Sequence, residues 1–85
     1  MTQREMVQMM YKEHKKWLLN TEETATACGM SYSKFTKLFG GKDAIPEKII
    51  IEKKMIPVWV YIGATRKWKI TEIVKWIIET ERRAG

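Results

Sequence analysis

The sequence predicts an α+β, mainly helical domain, and three observations predict it. Apolar residues recur at three- and four-residue spacing near both ends of the chain, the period of an amphipathic helix. Two short runs, "TEETATACG" and "SYSKFTKLFG", flank the corner at Gly29, as in a pair of helices joined by a tight turn. Between residues 57 and 70 the pattern shifts to alternation, the period of a strand.

In chain order, residues 3–19 read as a helix. Met6, Met10 and Trp17 with Val7, Tyr11, His14 and Leu18 form one stripe, and Lys12, Lys15 and Lys16 lie off it. Met6, Met9, Met10 and Trp17 fit two uses equally, packing on the domain or self-association through this N-terminal helix. Asn20 and Thr21 break the helix and offer caps for the next. That second helix covers about 22–28, with Glu22 and Glu23 as acids in its first turn. Gly29 suits a tight helix exit, and Ser31 caps a third helix over about 32–39, ended by Gly40-Gly41.

Residues 42–56 admit two readings. Pro46-Glu47-Lys48 has the composition of a helix start, whereas Ile49-Ile50-Ile51 is β-branched throughout; the reading favours a short strand. In "PVWVYI", Val58, Val60 and Ile62 take one face and Trp59 and Tyr61 the other. "GATRK" reads as a turn and "WKI" as the returning strand, so 57–70 is a hairpin with a basic tip. The last helix covers 71–83, with Ile70, Ile73, Val74, Ile77 and Ile78 as its stripe.

The chain has 85 residues, 45% hydrophobic and 31% charged, which fits one folded domain over 1–85 and not a disordered segment. Cys28 is the only cysteine, so no intrachain disulfide forms, in keeping with a reducing compartment. Charges interrupt the apolar residues of the first 17 positions, unlike a secretory signal, and no apolar run reaches membrane-spanning length. A cytoplasmic location without a membrane partner is the expectation. The net charge of +6 is unevenly placed. Lys34, Lys37, Lys42, Lys48, Lys53 and Lys54 follow the glycine corner, and Arg66, Lys67 and Lys69 occupy residues 57–69 with no acid among them. Such segregation suits a polyanionic partner.

A helix pair that presents its second member to DNA has strict needs. Ala25 supplies the small contact four residues before Gly29, Thr24 and Cys28 face inward, and Met30 plugs the corner. Phe35 and Leu38 bury one side of the third helix. Its other positions, Tyr32, Ser33, Lys34, Thr36 and Lys37, all form hydrogen bonds and suit phosphates or base edges. The hairpin that follows, with Thr65, Arg66 and Lys67 at its tip, completes the arrangement of a winged helix-turn-helix. Here it carries an extra N-terminal helix and a small antiparallel β-hairpin wing. The candidate DNA-binding residues are therefore Ser31, Tyr32, Ser33, Lys34, Thr36, Lys37, Lys42, Thr65, Arg66, Lys67 and Lys69.

Thr21-Glu22-Glu23-Thr24-Ala25, Gly29-Met30-Ser31, Trp68-Lys69-Ile70, Glu72 and Lys75-Trp76-Ile77 carry a family resemblance. Over about residues 18–78 the chain resembles the excisionase-like winged-helix proteins, relatives of the N-terminal domain of MerR-type regulators. Thr24 stands where the family has a small apolar residue, residues 40–56 are longer than its connector, and the N-terminal helix is additional. The resemblance implies a DNA-binding and DNA-bending accessory protein of a mobile element or phage. Its protein partner would be a tyrosine recombinase (integrase), it would act on promoters as well, and it would break no bonds itself. Two other functions fit the sequence: the DNA-recognition domain of a phage packaging subunit, and a protein-interaction module using the first helix and the Trp59/Tyr61 face.

No catalytic constellation or cofactor motif is legible. One His and one Cys make no zinc set, so His14 reads as a packed or surface residue and Cys28 as a core plug. Trp68 and Trp76 read as core, whereas Trp59 and Tyr61 fit an exposed surface as well.

Overall fold

The computed structural model describes residues 2–40, 42 and 44–84, which form five helices and a three-stranded antiparallel sheet. The order is α1 (Gln3–His14), β1 (Leu18–Leu19), α2 (Thr21–Ala27), α3 (Tyr32–Lys37), α4 (Glu47–Glu52), β2 (Val60–Ile62), β3 (Thr65–Lys69) and α5 (Ile70–Ala84). α3 ends at Lys37 with Leu38 as its cap, short of the expected end at 39; of the expected stop at Gly40-Gly41, Gly41 lies outside the described residues.

Local chemistry accounts for the first helices. Thr2 and Glu5 form a capping box at the start of α1, each side chain engaging the other's backbone N–H. Asn20 and Glu23 do the same for α2, and Ser31 Oγ accepts from the Lys34 N–H at the start of α3. Between α2 and α3, the Met30 N–H reaches Ala25 O at 2.9 Å and the Gly29 N–H reaches Thr26 O at 3.0 Å. That paired closure needs a left-handed residue at the corner, and Gly29 has φ 72°. The buried hydroxyl of Thr24 donates to Asn20 O at 2.7 Å, which explains how a polar residue occupies this position.

Non-local pairing overrides local pattern in four places. α1 stops at His14, not at residue 19. Lys15 takes a left-handed conformation, and Leu18 and Leu19 pair with Lys69 and Trp68 of β3. Ile49–Ile51 lies in α4 and is not a strand. Its first turn is closed by Ile49 and Ile50 N–H bonds to Pro46 O, and only Ile50 of the three is buried. A helix sends one of three successive residues inward, which suffices here because Ile50 alone meets the core. The hairpin loop is Gly63-Ala64, with Ile62 opposite Thr65, so Thr65, Arg66 and Lys67 belong to β3 and not to the tip. Finally, Trp59 is buried while Val58 and Ile62 are exposed.

The core is built around Trp68, which is 0% exposed. Phe35 of α3 meets it edge-on at 5.3 Å between centroids, and Phe39 and Trp59 each stand 6.4 Å away. Its indole N–H donates to Pro57 O at 3.0 Å, so the largest buried side chain has no orphaned donor. Leu19, Ala25, Ile50, Ile56, Ile70, Ile73 and Val74 complete the cluster. Trp76 is only partly buried, and its indole N–H donates to Lys54 O at 2.9 Å. α1 packs on α5 through Met6, Val7 and Met10, whereas Tyr11 and Trp17 leave the expected stripe and stack on each other in solvent. No described helix is long and apolar enough to cross a membrane.

Candidate nucleic-acid interface

The buried side of α3 fixes what its other side presents. Phe35 points into the core, and a turn of 100° per residue places Ser33 and Lys37 nearly opposite it. Lys34 lies beside them, Tyr32 is exposed at the near end, and all four stand in solvent. Ser31 caps α3 as expected, and the Thr36 hydroxyl is engaged within its own turn. Ser31 Oγ is engaged as the helix cap at 3.1 Å from the Lys34 N–H, and Thr36 Oγ1 donates to Ser33 O at 3.1 Å. Lys42 is exposed in the turn between α3 and α4.

The sheet divides the other candidates. Residues directly opposite in an antiparallel ladder share a face. Arg66 with Tyr61, and Trp68 with Leu19, therefore face the side on which α3 packs. Thr65, Lys67 and Lys69 face the other side, with Ile62, Val60 and Leu18. Lys67 is half-buried, and Thr65 and Lys69 are exposed. The α3 ridge and the outer face of β3 are thus two cationic surfaces, on opposite sides of the sheet, and not one.

Arg66 corrects the expectation most. It is no free wing-tip cation. Its guanidinium carbon lies 4.1 Å from the centre of the Phe39 ring, and its Nη2 is 2.9 Å from Glu47 Oε1. The Tyr61 hydroxyl donates to the same carboxylate oxygen. Arg66 Nε is buried without an acceptor among the described residues. The guanidinium thus clamps the hairpin to the turn after α3 and to the first turn of α4. Glu47, Phe39 and Tyr61 are the members of this clamp that sequence reasoning missed. A glycine-led two-residue loop was the signal available: it moves Arg66 into the strand, two residues from Trp68 and hence on the same face.

The Tyr61 hydroxyl first, and the Arg66 guanidinium second, hold the Glu47 carboxyl below its ordinary value of 4.5. A depressed carboxyl contributes its contact fully above the ordinary value and loses it as pH falls through the depressed one. Glu47→Gln at neutral pH is expected to loosen the clamp without unfolding the chain. Side-chain NMR signals of Arg66 should shift towards those of a free arginine, and wild type should follow as the pH falls below 4.5. Arg66 signals indifferent to both changes would mean the clamp does not form in solution.

Two other expected residues have plain structural roles. Burial pushes the Cys28 thiol up to about 12, leaving it neutral and half-buried beside the core. His14 Nδ1 lies 3.6 Å from Glu23 Oε2, and Lys16 Nζ lies 2.7 Å from Glu23 Oε1. For Glu23, burial opposes ionisation. The Lys16 and Asn20 hydrogen bonds and the nearby charges outweigh it, so the carboxyl is held below its ordinary value. No three His, Cys, Asp or Glu side chains come together among the described residues.

Comparison with protein-family models, with curated proteins and with solved structures finds no match to this chain.

Proposed function

We propose that the chain is a winged helix-turn-helix protein that binds and bends double-stranded DNA in a sequence-specific way. In this reading it is an accessory factor of a mobile element or phage, of the excisionase type, acting in the cytoplasm. A tyrosine recombinase is its protein partner, and it regulates promoters as a second role. The observation that carries the reading is the exposed ridge of Ser33, Lys34 and Lys37, set opposite buried Phe35 on a helix entered through a glycine corner.

A major groove about 12 Å wide admits one helix, and α3 would enter it with that ridge foremost. Ser33 offers a short donor and acceptor to base edges, and Lys34 and Lys37 reach bases or phosphates. Lys42 holds a phosphate beside the groove. A hairpin that enters the adjacent groove edge-on turns one face to each strand, so Lys67 and Lys69 on the outer face of β3 meet one backbone. Arg66 acts indirectly, by holding the wing against the end of α3. No step of this function breaks a covalent bond. The excision role extends the likeness of residues 18–78 to the excisionase-like proteins.

Titrating duplex affinity against potassium chloride tests the electrostatic part. Three lysines on phosphates, Lys42, Lys67 and Lys69, give a log–log slope of roughly −2.7. A response near zero would remove phosphate neutralisation and the proposal with it.

A further inference from the structure

Away from that surface, the outward side of α1 carries large apolar groups. Met9 is 56% exposed and Trp17 is 55% exposed. Trp17 folds back so that its ring stacks on Tyr11, with centroids 4.3 Å apart. These three side chains and Glu5, Gln8 and Lys12 line one open hollow of about 500 Å³. The inward stripe of α1, Met6, Val7 and Met10, is already taken up by the core.

The charges say what covers this face. Glu5, Gln8, Met9 and Lys12 follow the i, i+3, i+4, i+7 spacing of a single helical stripe. An acid stands at one end and a base at the other, seven residues or about 10.5 Å apart. Rotating the stripe by half a turn about an axis between Gln8 and Met9 exchanges the acid with the base. A surface with that property complements an antiparallel copy of itself, the condition for a two-fold contact in which each copy uses the same patch. A parallel pairing would instead set Glu5 against Glu5. The capping box with Thr2 holds the Glu5 side chain at the end of the helix, where this contact needs it.

We propose that the outward face of α1 is the interface of a homodimer, with α1 antiparallel to α1 of a second copy and Glu5 beside Lys12 in both directions. Met9 and the Tyr11–Trp17 stack supply the apolar contact, and the two ion pairs set direction and register. The inference does not rest on DNA binding.

Sedimentation equilibrium of the full chain without DNA tests it. Wild type is expected to dimerise as concentration rises. Glu5→Lys and Lys12→Glu each place like charges opposite one another, and should each weaken dimerisation by about 10-fold or more. An equimolar mixture of the two variants should associate again, because every position then meets its opposite charge in the mixed dimer. Circular dichroism of each variant checks that α1 is intact, and the recovery in the mixture is itself a folding control. Met9→Asp should abolish the dimer in any background. A wild type that stays monomeric throughout, variants that dimerise like wild type, or a mixture no tighter than its components would each overturn the proposal.

Discussion

Replacing Lys34 and Lys37 together by alanine is expected to weaken binding to a preferred duplex by roughly 100-fold, at about 1–3 kcal/mol for each side chain that reads a base. Both side chains stand exposed in solvent, so neither supports the core. The melting transition should therefore shift by less than about 0.5 kcal/mol in stability, as for other exposed positions. The informative comparison is Lys67→Ala with Lys69→Ala on the outer face of β3. That pair should weaken all sequences evenly and flatten the salt slope by about two units, with little change in preference among sequences. Fluorescence anisotropy with one preferred and one scrambled duplex measures both quantities. A folded Lys34/Lys37 variant that still binds like wild type would show that α3 does not read DNA.

The largest expected loss of stability comes from Trp68→Ala. Truncating a fully buried aromatic costs about 3–5 kcal/mol, the transfer of the side chain plus the cavity it leaves. A domain of this size has in total about 4–13 kcal/mol at roughly 0.05–0.15 per residue, so the variant stands at the edge of unfolding. The cavity would open between Phe35 of α3, Phe39 and Trp59, loosening the support of the candidate reading helix. Trp68→Phe separates two contributions. It keeps an aromatic contact but leaves the Pro57 carbonyl without its indole donor, at about 1–3 kcal/mol for a buried group left unpaired. Urea unfolding followed by far-ultraviolet circular dichroism ranks the two. An alanine variant within about 1 kcal/mol of wild type would contradict the placement of Trp68 at the centre of the core.

The α3 surface was legible in the sequence because it depends on short-range geometry alone. Once Gly29 sets the corner and Phe35 is taken as the buried residue, the positions of Ser33, Lys34 and Lys37 follow from the helical repeat. The hairpin was legible as such but not in its detail. Reading "GATRK" as the turn placed Thr65, Arg66 and Lys67 at a free tip; the two-residue Gly63-Ala64 loop moves all three into β3 and alternates their directions. The acceptor for Arg66 is 19 residues away in sequence, on a segment whose isoleucine run favoured a strand. No local pattern connects Glu47 to Arg66, on elements that share one core cluster through Ile50 and Trp68.

By itself the sequence determined the starts of α1, α2 and α3, the corner and the existence of a hairpin. Those features rest on side chains that satisfy the backbone within three or four residues: Thr2 with Glu5, Asn20 with Glu23, Ser31 with Lys34, and a glycine where φ must be positive. Tertiary structure alone decided that Leu18 and Leu19 leave α1 to pair with β3, that the isoleucine run coils into a helix, that Trp59 turns inward, and that Arg66 is held and not offered. Each of these depends on a partner distant in sequence, and burying a large side chain or pairing a strand outweighs the few tenths of a kcal/mol by which local preferences differ.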